Sequence, residues 1–210
     1  MIWLTSDTHF SHKNILSYEP DSRPFASVEE MNETLINNWN SVVDENDDVW
    51  VCGDFFMGPV TNIEPILNRL KGKIHLVRGN HDQKNRMKIY EAHGIDIHDI
   101  AYIQYKKKLF LCTHYPMIVE NGDCDKHIFN LHGHTHQHSL FSEYPRCIHV
   151  GVDSNNLTPI SIEQIWSECW PQEIMTKEVQ EYKDSHNTTC EACQKECGPD
   201  NRCDGFARNG

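Results

Sequence analysis

Five times within its first 136 residues the chain leaves a short apolar run and arrives at once on Asp, His or Asn. Asp7 and His9 follow I-W-L-T, and Asp54 follows V-W-V-C. Asn80, His81 and Asp82 follow I-H-L-V-R, His114 follows L-F-L-C, and His134 with His136 follows I-F-N-L. A short apolar run bounded by polar, turn-forming residues is the pattern of a buried strand. Ligand sites of open α/β sheets lie at the carboxyl ends of strands, so five polar segments at five such ends are expected to converge on one edge of the core.

The segments between these runs supply the rest of the expected fold. Residues 27–43 read as a helix: Ser27 and Glu30 have capping-box spacing, and Met31, Leu35, Trp39 and Val42 recur at helical intervals. A strand at 48–52 precedes a helix over 61–70, with Thr61 as its N-cap and Gly72 as its stop. Residues 73–78 are strand-like again, and a helix over 83–93 ends at Gly94. This β-α-β-α-β-α order predicts a sheet covered by helices through right-handed crossovers. The pattern then changes. Residues 100–105 and 109–113 flank a turn at 106–108 and suggest a hairpin, and strands are expected at 127–131 and 146–150. Ser161 with Gln164 marks a second capping box, for a helix over 162–170. The chain is thereby divided into a domain at 1–170, a polar C-terminal helix at 171–186 and a Cys-rich tail at 187–210.

Carboxylate, imidazole and amide groups all ligate first-row metals. Asp-x-His and His-x-His spacings bring both side chains near one point when the residue between them turns away. Magnesium and calcium prefer all-oxygen shells, so this many imidazoles favour manganese, iron, zinc, cobalt or nickel. Asp7, His9, Asp54, Asn80, His114, His134 and His136 exceed the capacity of one tetrahedral ion and suit two ions sharing a bridging carboxylate. Taken singly, each of these residues is also an ordinary core histidine or capping aspartate. His75, His93, His98, His127, His149 and His186 are read in that plain way, and His132 and His138 as residues lining the G-H-T-H loop. Five such motifs in succession, all behind strands, favour the metal reading.

Composition bounds the partners. A length of 210 residues sets one domain with a short appendage, and 31 acidic against 19 basic residues give a formal charge of −12. Such a charge argues against unspecific binding to nucleic acid or an anionic membrane. No apolar run approaches the roughly 18 residues of a membrane span, and Asp7 and His9 arrive too early for a secretory signal, so a cytoplasmic protein is expected. Cys52, Cys112 and Cys147 lie within apolar runs and read as buried free thiols. Cys190, Cys193, Cys197 and Cys203 crowd the tail. Their leading C-x2-C spacing suits a structural zinc site and the tighter spacings after it do not, so zinc and a loop-rich tail with reducible thiols both stay open.

S-D-T-H at 6–9, G-D at 53–54, G-N-H-D at 79–82, His114 and G-H-T-H at 133–136 resemble the signature of calcineurin-like metallophosphoesterases. D-T-H-F-S-H-K-N at 7–14, R-P-F at 23–25 and E-M-N-E-T-L-I-N-N-W-N at 30–40 resemble a group of small microbial and phage phosphoesterases within that superfamily. Ser6 stands where the family commonly has Gly, at a position that shapes the turn and supplies no ligand. The resemblance implies a four-layer α/β/β/α sandwich. It implies that Asp7, His9 and His136 hold one divalent ion, that Asn80, His114 and His134 hold a second, and that Asp54 bridges them. Hydrolysis would then proceed by attack of a metal-bridging hydroxide on phosphorus. His81 would protonate the leaving oxygen, and Asp82 would orient its ring. His12, Asn14, Arg23 and Arg78 lie near the motifs as candidates for binding phosphate or a substrate base, or equally as plain loop residues.

Departures narrow the class. Protein Ser/Thr phosphatases of the superfamily carry an Arg shortly after the second motif and G-N-H-E in the third, whereas this chain has G-D-F-F-M-G-P and Asp82. DNA-repair nucleases carry large capping regions that the interval from His81 to His114 is too short to hold. The expected substrate is a small phosphomonoester or phosphodiester, nucleotides included, with neither duplex nucleic acid nor membrane as partner. The competing expectation is a non-catalytic metal-binding scaffold or partner-binding protein on the same fold, and a third is an active enzyme whose Cys-rich tail is a partner-binding module.

Overall fold

The three apolar runs that precede the first three motifs become the centre of one sheet. In the computed structural model, which describes residues 1–118, 128–137 and 146–168, β1 (Ile2–Thr5), β2 (Asp48–Val51) and β3 (Lys73–Val77) lie side by side and parallel. Thr5 pairs with Val51, and Val51 with Leu76, so the three strands end level and their following loops leave from one edge. A three-residue strand, β4 (Asp96–His98), extends the sheet beyond β3, and a two-residue strand, β9 (Ile160–Ser161), pairs antiparallel with β1. Parallel neighbours need crossovers. They are supplied by α1 (Ile15–Tyr18) and α2 (Val28–Val42) after β1, α3 (Ile63–Leu67) after β2, and α4 (Lys84–Ala92) after β3.

The long helix α2 forms as its sequence predicts. Ser27 Oγ accepts the Glu30 N–H at 3.1 Å, and the Glu30 carboxylate reaches back to the Ala26 N–H at 2.9 Å, one residue before the cap itself. Met31, Leu35, Ile36 and Trp39 are buried against Val49, Val51, Phe55 and Leu76. Burying a Trp removes about 200 Å² from water, worth about 5 kcal/mol at 25 cal/mol per Å². The Trp39 indole N–H is satisfied by the Lys71 carbonyl at 2.9 Å.

The second sheet has the order β5 (Ala101–Tyr105), β6 (Lys108–Cys112), β7 (Ile128–His132) and β8 (Cys147–His149). β5 and β6 form the expected hairpin. Its turn residues Lys106 and Lys107 have φ of 46° and 65°, the left-handed pair that a two-residue hairpin turn requires. β6, β7 and β8 run parallel, so the loops after His114 and after His132 again leave from one edge. Cys52 and Cys112 are both fully buried, the neighbouring Cys112 and burial push the Cys52 thiol well above its ordinary range, and Cys52, Cys112 and Cys147 are free thiols. α5 (Ile162–Glu168) closes the described fold, with Ser161 Oγ accepting the Gln164 N–H at 3.0 Å. The whole is a mixed α/β structure of two sheets flanked by helices. Among the described residues no helix is long and apolar enough to cross a membrane.

One expected boundary moves. The helix assigned to 61–70 opens instead as a 3₁₀ turn, Val60–Asn62, so Thr61 lies inside the turn and caps nothing. Only Ile63–Leu67 is α-helical, and Pro65 sits in its first turn, where a missing N–H breaks no hydrogen bond. The polar helix expected at 171–186 and the tail cysteines Cys190, Cys193, Cys197 and Cys203 lie outside the described residues, as does His138.

Candidate metal centre

The strand-end loops hold their polar residues in an unusual backbone. Asp7, His9, Asp54, His134 and His136 have φ of 54°, 46°, 53°, 69° and 49°, all in the left-handed region. For a residue with a Cβ that region costs on the order of 1 kcal/mol, and it persists where the surrounding structure imposes it. In both D-T-H and H-T-H the outer residues are left-handed and the Thr between them is not. Thr8 turns away to donate its hydroxyl to the Phe55 carbonyl at 2.8 Å, which leaves Asp7 and His9 facing the same space.

Backbone hydrogen bonds lock these loops together. The Asp7 N–H donates to Gly53 O at 3.0 Å, His9 N–H to Asp54 O at 3.1 Å, and Gly133 N–H to His114 O at 3.1 Å. Ser6, at the position where the sequence departs from the family pattern, donates its hydroxyl to Cys52 O at 2.7 Å. Gly53 has φ of 92°, and a Cβ there would lie 2.3 Å from His114 Nδ1. At Gly133 a Cβ would lie 1.8 Å from Ser6 Oγ and 2.3 Å from Asp7 Oδ2. Both glycines are places where only a bare backbone lets the site close.

The side chains converge on one carboxylate. Asp54 Oδ2 lies 3.5 Å from His114 Nε2, 3.6 Å from His9 Nε2 and 4.0 Å from His81 Nε2. His114 Nε2 is also 2.8 Å from Asn80 Oδ1, and His9 Nε2 is 3.9 Å from Asp7 Oδ1. Ligand atoms of Asp7, His9 and His136 lie within 4.8 Å of one another, and so do those of Asp7, Asp54 and His114. Asp7 is thus common to both groups, while Asp54 belongs to the second and reaches His9 of the first. His134 stands somewhat apart from both groups. Its ring packs edge-on against His114 with centroids 5.0 Å apart, while its backbone N–H donates to Asp7 Oδ2 at 2.9 Å.

These residues fit a bound cation. Two atoms each about 2.1 Å from one ion lie roughly 3 to 4.2 Å apart, close to the separations found here. Asp7 Oδ1 and both ring nitrogens of His9 are buried without a hydrogen-bond partner, at a cost of about 1–3 kcal/mol for each unmet group. Burial pushes the Asp7 carboxyl up to about 6. Burial, with the Arg23 charge adding to it, pulls the His9 imidazole well below its ordinary range. A carboxylate oxygen and an imidazole lone pair that lack any donor are what a divalent ion satisfies, and the mixed N and O set suits manganese, iron, zinc, cobalt or nickel.

Several neighbours act behind the ligands. His114 Nδ1 faces the Cys52 carbonyl at 3.0 Å, and His136 Nδ1 faces Asp153 Oδ2 at 2.7 Å, so each ring keeps Nε2 for the site. Burial opposes charge on both members of the second pair. The hydrogen bond between them nonetheless raises His136, and together with Arg23 it holds Asp153 well below the carboxylate range. Asp153 was not among the residues expected at the site. It follows I-H-V-G-V at 148–152, a sixth apolar run ending on a carboxylate, and the strand-end rule that found the other five applies to it equally.

Two expectations about supporting residues are corrected, those for Asp82 and Arg23. Asp82 does not reach the His81 ring: its carboxylate accepts the N–H groups of Asp54 at 2.8 Å, Gly79 at 2.9 Å and Phe55 at 3.3 Å, so it ties the loop after β2 to the loop after β3. Arg23 is 1% exposed, with its guanidinium committed to Asp153 and to the carbonyls of Asp7 and Thr8, so it binds the protein rather than a substrate. Arg78 pairs with Asp99. Asn14 is exposed, and its carbonyl starts α1 by accepting from Ser17 and Tyr18. Of the four residues considered for substrate, His12 sets its ring beside a ligand ring, its centroid 5.3 Å from that of His9 and its pKa lowered by burial to about 4.

Comparison with known proteins extends this picture. Residues 1–152 match the calcineurin-like phosphoesterase superfamily domain, a match that stops one residue short of Asp153. An uncharacterised protein of Methanocaldococcus jannaschii is 38% identical over 172 residues, which span 78% of this chain and 88% of the archaeal one. The gene 66 protein of Mycobacterium phage L5 is 29% identical over 182 residues, 72% of this chain and 86% of the phage protein. Among solved structures, a protein of unknown function from Aquifex aeolicus superposes with a TM-score of 0.65 at 26% identity, covering 79% of this chain and 97% of that one. The strand-end motifs, the two sheets and the matched stretch agree, and the chain belongs to the calcineurin-like phosphoesterase superfamily.

Proposed function

We propose that this chain is a metal-dependent hydrolase of small phosphomonoesters or phosphodiesters, nucleotides among them, that works with two divalent transition-metal ions. The observation that carries the reading is the position of Asp54 Oδ2 within 4.0 Å of three imidazole Nε2 atoms, two of them from residues assigned to different ions. In this reading Asp7, His9 and His136 hold the first ion, Asn80, His114 and His134 the second, and Asp54 is shared. When bound, such ions offset charge on phosphoryl oxygens and lower the pKa of water towards neutrality.

The chain's own residues supply the remaining chemistry. The backbone of His81 is held at both ends, its N–H by Asp54 Oδ1 at 2.8 Å and its carbonyl by Arg86 at 3.0 Å. Its side chain is 36% exposed, beside the ligands and open to the substrate side. His81 is therefore the general acid, giving a proton from its ring to the leaving oxygen, a role worth roughly 10²–10⁴ in rate. Asp82 serves that step at one remove, by fixing the two loops that carry Asp54 and His81. His12, beside His9, and the half-exposed Tyr115, whose ring lies 4.6 Å from that of His134, are the surfaces this reading offers to the rest of the substrate.

The test is direct. Protein stripped with a chelator and reloaded with manganese is assayed on bis-aryl and mono-aryl phosphates, then on nucleotides. Turnover that appears with the metal and is lost on chelation supports the reading, and the preferred substrate gives the ester class. Fully loaded protein that turns over none of these compounds would support the non-catalytic scaffold instead.

A further inference from the structure

We infer that Asp153, clamped by Arg23, is a positioning residue that fixes the tautomer and direction of the His136 ring and so sets the affinity of the first ion position selectively. The inference rests on the two-ion reading above. Its first support is that the Asp153 side chain is fully enclosed and every contact is directed. Oδ1 accepts from Ser22 Oγ at 2.8 Å and Arg23 Nε at 2.7 Å, while Oδ2 accepts from Arg23 Nη2 at 2.9 Å and faces His136 Nδ1 at 2.7 Å. A buried carboxylate accepting from Nδ1–H leaves Nε2 as the lone-pair nitrogen, which is the atom a ligand must present.

The second support is the reach of Arg23. Besides the two-pronged grip on Asp153, its guanidinium donates to the carbonyls of Asp7 and Thr8. One planar fork therefore holds the backbone of one proposed ligand and, through Asp153, the ring of another. The third support is an asymmetry. The His114 Nδ1 is backed by the neutral Cys52 carbonyl at 3.0 Å, and neither ring nitrogen of His9 has a hydrogen-bond partner. Of these three imidazoles His136 alone is backed by a carboxylate, which makes it the more basic ligand and loads that difference onto the first position.

The experiment is a manganese titration of chelator-stripped protein, followed by the electron paramagnetic resonance signal of free Mn²⁺. Wild type is expected to bind two ions per chain. Asp153→Asn removes the charge but keeps the size, and should weaken one class of ion by about 10–100-fold while leaving the other within about twofold. Equal weakening of both classes would mean a merely structural role and overturn the inference, as would no weakening in a variant whose circular dichroism and melting match wild type. If Asp153→Asn does not fold, Arg23→Lys keeps the charge and loses the fork. Selective weakening of one class then supports the inference, and its absence overturns it. The readout is independent of hydrolysis: a wild type that binds two ions yet cleaves no ester refutes the proposed function and leaves this inference standing.

Discussion

Asp54 is the residue on which the site turns, because its carboxylate is near three imidazoles while its backbone N–H is held by Asp82 and its carbonyl by His9. Asp54→Ala should leave the chain with less than one ion per molecule by elemental analysis, and two ions retained would show that Asp54 is not shared. His81 is different in kind. His81→Ala should keep both ions but lose roughly 10²–10⁴ in rate on alkyl phosphates, whose leaving oxygen needs a proton, and far less on aryl phosphates. An equal loss on both substrates would remove His81 as the acid. These residues were legible in the sequence because each follows an apolar run and because their chemistry is narrow. Arg23 was legible only as a residue near a motif. Nothing in R-P-F says that the guanidinium turns inward, since its partner Asp153 lies 130 positions away.

At the scale of elements, the strand-end loops are joined by buried polar groups more than by apolar packing. The Asp82 carboxylate gathers three backbone N–H groups from two loops, and Tyr90 on α4 comes within 3.5 Å of it. Replacing it leaves those donors unmet, so Asp82→Ala should cost about 1–3 kcal/mol. A protein of this size then melts roughly 2–4 °C lower per kcal/mol. The chelated variant should show that drop in a thermal melt, and an unchanged melting temperature would mean that water replaces the carboxylate freely. Long elements were readable because α2 repeats its apolar face over several turns and declares its cap. α1, β4 and β9, of four, three and two residues, are too short to carry a period and exist only because neighbours hold them. The left-handed backbone at Asp7, His9 and His136 was equally invisible, since Asp and His visit that region more than most residues yet still seldom, and the surrounding hydrogen bonds decide where they do.

Over the whole molecule, the charge of −12 describes the chain and not the site, where divalent ions would answer the buried carboxylates and leave room for an anionic substrate. The described site residues all lie within the unit Met1–Cys169, so removing residues 187–210 is expected to leave two ions and full turnover, with loss of either pointing to a role for the tail. A pH dependence follows from the histidine content. His149 on β8 is pulled from 6.5 to about 4, chiefly by burial and then by His132 on the adjacent β7, with His136 adding to the repulsion and Asp153 opposing it. The unfolded chain therefore takes up a proton at this histidine more readily than the folded one does. Its contribution is complete above pH 6.5 and is lost as the pH falls towards 4, by up to about 3 kcal/mol at the lower end. Urea unfolding of the chelated protein at pH 7 and at pH 4.5 measures the difference. His149→Gln, which cannot take up that proton, should lose clearly less stability between the two pH values than wild type does, and an equal loss would place the acid sensitivity elsewhere.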